Sequence, residues 1–208
     1  MIFRGLDLRN GLIGAMTLGL CLAVANGLNA QGPLQTGHTP TGWFLAGNNP
    51  TNYRTGMDHA EMRDGLPSAN LASLAKGNGF GTLMQSINSV NYAGKRVRLR
   101  GWVKSQDVSD WSGLWMRVDA GREAVAFDNM QDRGIKGAQP WSTYDVVLDV
   151  PADATSISFG ILLSGAGEVW LNDVTLEVVG NDTPTTVTTP RTTRTMLPQR
   201  PVNLDFNE

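Results

Sequence analysis

The sequence contains very little cysteine and histidine. Among 208 residues there are one cysteine, Cys21, and two histidines, His38 and His59. A single cysteine cannot form a disulfide within the chain. The two isolated histidines have no spacing typical of a zinc site, and a Ser-His-Asp triad would have to rest on His59. Burial of apolar side chains, rather than covalent cross-links, must therefore stabilise the fold.

Charge is also scarce, and neither sign is in clear excess. There are 17 Lys and Arg against 19 Asp and Glu, so the net charge is -2. This balance argues against a large nucleic-acid-binding surface. The sequence has no P-loop, dinucleotide fingerprint or Gly-x-Ser-x-Gly elbow, and its carboxylates show no spacing that identifies a glycosidase pair. We therefore predict a protein that is not an enzyme and does not bind nucleic acid.

The N-terminal thirty residues have the pattern of a signal peptide. Arg4 and Arg9 precede an uncharged stretch at residues 11–25. That stretch has the length of a secretory h-region and is shorter than the ~20 apolar residues of a bilayer span. Ala30 supplies a small residue for cleavage. Residues 1–30 thus predict a secreted or periplasmic protein with no stable membrane insertion after cleavage; the alternative is an N-terminal membrane anchor.

Residues 42–180 alternate between apolar and polar side chains with a period of two. Turn-forming residues separate the runs, and no ten-residue helical stripe occurs. The main runs are residues 97–104, 114–119, 144–150, 157–164 and 174–178, with shorter candidates at 69–75, 83–87 and 125–128. About eight short strands at this spacing predict an all-β domain, a two-sheet antiparallel β-sandwich of the jelly-roll type.

Polar segments flank this domain on both sides. Residues 31–41 form a short linker, and residues 181–201 form a Thr/Pro-rich linker with few apolar side chains. Alternation returns in residues 202–208, which we predict to form a C-terminal β-strand-like segment. Its apolar side chains are Val202, Leu204 and Phe206. Such a segment is suited to self-association by pairing with a sheet edge.

The candidate ligand-binding residues are aromatic and basic side chains on the non-core sides of two predicted strands. They are Arg98, Arg100 and Trp102 on the first strand and Trp115 and Arg117 on the second. If these strands are neighbours, all five share one face. Indole rings suit the C–H face of a sugar, and guanidinium groups suit hydroxyls or carboxylates. The alternative is that a loop or the tail covers this face and the tryptophans are core.

Trp111 completes the set of candidate ligand-binding residues. It lies among small polar residues, which predicts a loop between the two strands. A tryptophan in such a loop is typical of a contact residue in a binding module, although it would equally suit a cap on the end of the sandwich.

Three carboxylates are candidates for a structural calcium site, the one cofactor that the sequence suggests. Asp58 and Glu61 lie in a predicted loop, together with Asp64. Asp173, near the end of the domain, is placed to join them. Carboxylate and carbonyl oxygens are the ligands that Ca²⁺ prefers.

Several segments occur in an order that resembles a known family. They are residues 42–44, 69–73, 80–85, 92–104 and 169–174. This order resembles the galactose-binding-like jelly rolls, which include many carbohydrate-binding modules. In that family an acidic pair in the last strand often helps to hold structural calcium. Here Asn172 occupies the first position, so the resemblance extends only to Asp173.

Two further segments, residues 111–119 and 127–133, resemble a bacterial subgroup of this fold whose members are sometimes labelled transcriptional regulators. That label does not fit a chain with an export signal, no basic excess and no helix-turn-helix pattern. The resemblance implies a non-catalytic binding module for carbohydrate or a small polar ligand. The alternative is a structural or protein-interaction domain that assembles through its C-terminal strand.

Overall fold

The computed structural model describes residues 38–74 and 79–187. The predicted signal peptide, most of the first linker, and the strand-like segment at 202–208 lie outside the described residues. Within these two ranges, no helix is long and apolar enough to cross a membrane. Helical structure is limited there to two 3-10 turns, Pro50–Asn52 and Gln131–Arg133.

Residues 38–74 and 79–187 contain nine strands, and all of the pairings between these strands are antiparallel. They are β1 (Phe44–Gly47), β2 (Tyr53–Arg63), β3 (Leu66–Ser73), β4 (Phe80–Asn88), β5 (Lys95–Ala120), β6 (Glu123–Asp128), β7 (Ile135–Val150), β8 (Ser156–Ser164) and β9 (Glu168–Val179).

The long strand β5 belongs to two layers. Its residues 96–106 pair with β9, and residues 95–103 also pair in regular register with β7. Its residues 111–119 pair instead with β8, and residues 116–120 with β6. The N-sheet therefore contains β7, the first half of β5, β9, β3 and β2. The C-sheet contains β6, the second half of β5, β8, β4 and β1.

The core lies between these two sheets. Alternate residues of both halves of β5 are fully buried in one apolar cluster, which explains the period of two in the sequence. The contributors from β5 include Val97, Leu99, Val103, Leu114, Met116 and Val118. Each such side chain stabilises the fold by roughly 1.5–3 kcal/mol when removed from water. The predicted all-β sandwich is confirmed.

Two segments that we predicted as loops are strands. Residues 106–113, expected to separate two strands, continue β5 through a series of register shifts, so Trp111 lies on a strand and pairs with Ser164. Asp58 and Glu61 lie within β2 rather than in a loop. Both segments carry irregular pairing, which interrupts the polar–apolar alternation by which a strand is recognised in sequence.

After β9 the chain turns back along the outer edge of β7. The main-chain nitrogen of Thr186 donates to the carbonyl oxygen of Val147 at 3.0 Å, and Val187 packs against the core. The carbonyl oxygens of Asn181 and Thr183 also accept from Arg96, so the chain that follows Gly180 is attached to the sandwich at several points.

Candidate functional site

The outward-facing side chains of β5 fall on two different faces. Arg98, Arg100 and Trp102 lie on the half that pairs with β7 and β9. Trp115 and Arg117 lie on the half that pairs with β8. The condition for all five to share one face, two neighbouring strands, is not met, because both segments lie on β5, which passes from one sheet to the other between them. Each group occupies the outer face of its own sheet.

Arg98 and Arg100, on the outer face of the N-sheet, form ion pairs with carboxylates on neighbouring strands. Arg98 donates to Glu177 Oε1 from Nε at 3.0 Å and from Nη2 at 2.7 Å. Arg100 donates to the two oxygens of Asp145 at 2.7 and 2.6 Å. These hydrogen bonds raise the pKa of Arg100. The guanidinium groups that we predicted to bind ligand are engaged with carboxylates of the same sheet.

Side chains of β2 reach over the tryptophans of this face. The guanidinium carbon of Arg63 lies 3.9 Å from the ring centroid of Trp102. Trp170 is only 4% exposed, with the Lys104 ammonium 5.4 Å from its ring centroid. Lys104 in turn donates to Glu61 at 2.7 Å. The sequence analysis gave as an alternative that a loop or the tail covers this face. In the structure Trp102 is covered in part, by Arg63 of strand β2.

The expected calcium ligands are not brought together. Asp58 Oδ2 accepts a hydrogen bond from the Trp170 indole at 2.8 Å, which lowers the pKa of Asp58. Glu61 is paired with Lys104, and Asp173 lies 3.8 Å from Arg63. Across residues 38–74 and 79–187, no three His, Cys, Asp or Glu side chains are grouped so as to hold a metal ion. Each of the three carboxylates proposed for calcium is thus engaged with a different protein partner, and the calcium site stays a prediction.

The outer face of the C-sheet carries an aromatic cluster separate from the core. Strand pairing places Trp115 beside Gly160, which pairs on its other side with Met84. Phe44 pairs with Met84 at the edge of the sheet. The cluster contains Met84, Trp115 and Leu162, which are buried, and Ala46, Phe80, Trp111 and Phe127, which are partly buried.

Trp115 forms the floor of this aromatic cluster. Its side chain is 3% exposed, and its indole nitrogen donates to Thr82 Oγ1 at 2.7 Å. Thr82 lies on β4, two strands away from Trp115, so the indole crosses over β8 near Gly160. A Cβ on Gly160 would lie 2.1 Å from the Leu83 carbonyl oxygen, so no other residue fits there. Trp115 supports the face rather than presenting a ring to solvent.

Four other aromatic side chains around this floor are accessible. Phe44 is 45% exposed, while Phe80, Trp111 and Phe127 are partly buried. The turn between β6 and β7 packs against Trp111. A Cβ on Gly134, in that turn, would lie 2.9 Å from the Trp111 Cβ, so glycine allows the close approach.

A polar patch adjoins the aromatic cluster on the same face. Arg117 donates to Asp119 Oδ2 from Nε at 3.2 Å and from Nη2 at 3.0 Å, and Ser156 contacts the same oxygen at 3.4 Å. On the neighbouring strands β4 and β8, the hydroxyl oxygens of Ser86 and Ser158 lie 2.8 Å apart and share a hydrogen bond. Apolar rings and hydrogen-bonding groups therefore meet on one sheet face.

The sequence analysis identified part of this face and missed the rest. The structure brings together three predicted residues, Trp111, Trp115 and Arg117. It adds Phe44, Phe80, Phe127, the serines of β4 and β8, and the hydrogen-bonded pair Asp110–Ser164. The alternation from Phe80 to Met84 was enough to predict that these two side chains lie on the same side of β4. Which residues of β1, β4, β8 and β6 lie beside one another on this face could be known only from the strand pairing.

No known family profile matches the chain. Over 171 residues, 80% of its length, the chain is 40% identical to an uncharacterized HTH-type transcriptional regulator, YbfP, of Bacillus subtilis. The chain spans 57% of the length of that relative. The predicted resemblance to proteins with a regulator label is therefore confirmed.

Solved structures with the same fold include carbohydrate-binding modules. The CBM22-1 xylan-binding domain of Xyn10C from Paenibacillus barcinonensis superimposes with a TM-score of 0.52 at 14% identity, covering 68% of this chain and 88% of that domain. The enzymatically active domain of tailspike protein 4 from bacteriophage CBA120 gives 0.50 at 18% identity, covering 67% of this chain and 20% of that one. At these identities the likeness shows the fold, which is the β-sandwich of carbohydrate-binding modules.

Proposed function

We propose that this protein is a non-catalytic binding module that recognises a carbohydrate on the outer face of the C-sheet. The observation that carries the proposal is the composition of that face. Accessible aromatic rings surround the buried floor formed by Trp115, and a patch of Arg117, Asp119 and serine hydroxyls adjoins them. Sugar rings offer one apolar C–H face and several hydroxyls, so they need both kinds of surface side by side.

Each part of the face has a distinct role in this proposal. Trp111 and Phe80 flank Ser164 from the two neighbouring strands and supply stacking surfaces. Asp110 accepts a hydrogen bond from Ser164 at 2.5 Å, which leaves its other carboxylate oxygen for a ligand hydroxyl. At the opposite end of the face, the exposed hydroxyl of Ser86 supplies a donor and an acceptor, whereas the largely buried Arg117–Asp119 pair supports the sheet there. These roles require recognition only and no bond cleavage.

The proposal is tested by measuring affinity for soluble polysaccharides, neutral and acidic, by affinity electrophoresis and calorimetry. Trp111→Ala should weaken binding at least about tenfold, equivalent to ~1.4 kcal/mol. Trp102→Ala is the matched control, because Trp102 lies on the outer face of the other sheet. If Trp102→Ala abolishes binding and Trp111→Ala does not, the site is on the N-sheet. If no polysaccharide binds and Trp111→Ala changes self-association instead, the face is a protein-interaction surface.

The location of this module is part of the same proposal. The charge pattern and apolar length of residues 1–30 support export to the periplasm or the medium. The 40% identity to an HTH-type regulator supports a second candidate, a ligand-sensing module of a regulatory protein. N-terminal sequencing of the natural protein separates the two. A chain that starts near Gln31 outside the cytoplasm supports export, whereas an intact Met1 in the cytoplasm supports the sensing role.

A further inference from the structure

The end of the described chain is tied to the part of the sandwich that supports Trp111. We call residues 181–187 the C-terminal strap. Within it, Thr186 donates from its main-chain nitrogen to the Val147 carbonyl at 3.0 Å. The Thr186 hydroxyl accepts from the Val147 nitrogen at 2.8 Å and donates to Asp128 Oδ2 at 2.5 Å. One hydroxyl thus links the edge of the N-sheet to the end of β6 in the C-sheet.

Asp128 is the centre of this network. It is 8% exposed, and its carboxylate also accepts from the Met130 nitrogen at 2.9 Å and from Arg133 at 3.2 and 2.5 Å. Burial opposes the charge on Arg133, but the hydrogen bonds and the negative charges of Asp128 and Asp132 together outweigh that effect, and the pKa of Arg133 is raised. Among the donors described for Asp128, Thr186 is the one that comes from outside the turn between β6 and β7.

The same turn forms the support behind Trp111. A Cβ on Gly134 would lie 2.9 Å from the Trp111 Cβ and 3.4 Å from its Cγ. A Cβ on Gly113 would lie 2.8 Å from the Met130 Cβ and 3.6 Å from the Trp111 Cζ3. The main chain of the turn at Gly134 therefore lies against Trp111, with no space for a side chain between them. The network around Asp128 holds the turn that lies against Trp111.

We propose that Thr186 is a positioning residue for the carbohydrate site, and that docking of the C-terminal strap on β7 sets the affinity of the face. This rests on the proposed function of the C-sheet face. Removing the hydroxyl leaves one bond to the buried Asp128 carboxylate and one to the Val147 nitrogen unmade. The strap then loosens from β7, the turn at 129–134 gains freedom, and Trp111 loses its fixed orientation. Binding sites depend on such supporting contacts around the groups that touch the ligand.

The test compares three substitutions in the full chain. Thr186→Val removes the hydroxyl with little change of shape, Thr186→Ser retains it, and Thr185→Val is the control at an exposed neighbouring threonine. The readouts are Kd for a polysaccharide that the wild type binds, hydrogen exchange in residues 129–134, and the NMR signal of the Trp111 indole N–H. We expect Thr186→Val to raise Kd roughly three- to tenfold, shift the Trp111 signal and speed exchange in the turn. Thr186→Ser and Thr185→Val should behave as wild type.

The ligand-free readouts separate this inference from the proposed function. If Thr186→Val leaves the Trp111 signal and the exchange of the turn unchanged, the positioning role is wrong, whatever the binding result. If the wild type binds no polysaccharide but Thr186→Val still shifts the Trp111 signal, the positioning role stands and the carbohydrate proposal fails. Thr186→Ala provides a second variant with the same expectations should Thr186→Val not fold, and near-UV circular dichroism verifies folding of each.

Discussion

Two tryptophans on the same half of β5 differ in their environments. Trp111 is partly buried against the turn between β6 and β7, whereas Trp115 is 3% exposed and hydrogen-bonded to Thr82. They are four positions apart and both face outward from the C-sheet. The difference comes from their cross-strand neighbours. Trp115 pairs with Gly160 in the middle of β8 and its indole reaches Thr82 on β4, while Trp111 pairs with Ser164 near the end of the strands.

We therefore expect the two tryptophans to differ in their effect on stability. Trp115→Ala removes the floor of the aromatic cluster and leaves Thr82 without its indole donor, so it should lower the free energy of unfolding by about 3–5 kcal/mol. Trp111→Ala, at a partly exposed position, should lower it by less than about half of that. Urea denaturation followed by far-UV circular dichroism measures both. Equal losses for the two variants would show that Trp111 is part of the fold rather than of the binding surface.

Regular strands could be predicted from the sequence, and irregular ones could not. The runs at residues 97–104, 144–150 and 157–164 lie within β5, β7 and β8, because simple alternation is enough to identify a strand that has one core-facing side. The path of β5 between the sheets was missed. Its register shifts from residue 103 to residue 112 are set by the partner strands, which are distant in sequence. Trp102 and Trp115 lie on different faces for the same reason.

Strand β2 was missed for a related reason. Its register with β3 shifts between Asp58 and Met62, and the Asp58 carboxylate accepts the main-chain nitrogens of Ala60 and Glu61 at 2.8 and 3.1 Å. A cluster of acidic residues in an apparent loop was interpreted as a calcium site. In the structure the Asp58 carboxylate instead accepts hydrogen bonds from the main chain of the bulge and from the Trp170 indole on the outer face of the N-sheet.

The bulge of β2 gives a pH-dependent prediction. Folding lowers the pKa of Asp58, chiefly through the hydrogen bond from Trp170, so the ionised carboxylate stabilises the fold. That stabilisation is present above the unfolded pKa of about 3.9 and is lost as the pH falls through the lower folded value. Asp58→Ala should therefore reduce Tm at pH 7, and the difference from wild type should narrow as the pH falls from the unfolded pKa through the lower folded pKa of Asp58. Asp64→Asn, at an exposed carboxylate in the adjoining turn, is the control, because asparagine also tolerates the positive φ of 52° at that position. A difference that stays constant from pH 7 to pH 2.5 would contradict the assignment.

At the scale of the whole molecule, the two outer faces of the sandwich have different chemistry. Ion pairs between neighbouring strands cover the N-sheet, and side chains of β2 overlie its tryptophans. The C-sheet instead presents accessible rings beside serine hydroxyls, and its Arg117–Asp119 ion pair is largely buried. The C-terminal strap joins the edges of both sheets through Val147 and Asp128. Binding on one face and attachment of the flanking chain are therefore located at the same side of the sandwich.

The chain beyond the strap leads to the last prediction. Val202, Leu204 and Phe206 alternate with polar residues after the Thr/Pro-rich stretch, and we expect this segment to pair with a sheet edge of its own domain or of a second copy. Extended chain spans ~3.1 Å per residue, so the residues between Val187 and Val202 set little limit on its reach. Burial of Leu204 and Phe206 would contribute roughly 1.5–3 kcal/mol each, before the cost of ordering the segment.

Removing residues 200–208 should then lower Tm, or convert an oligomer to a monomer in size-exclusion chromatography with light scattering. A variant with Leu204→Ser and Phe206→Ser keeps the length of the chain and should reproduce the effect, because the apolar side chains carry the pairing. Substituting Asn203 and Asp205 by serine, on the alternate side, is the matched control and should change neither property. Because the strap ends before residue 188, its hydrogen bonds are intact in all of these variants, so carbohydrate affinity should remain at the wild-type value if the segment acts only in assembly. Truncation that leaves both Tm and oligomeric state unchanged would show that this segment does not pair, and the assembly role would be wrong.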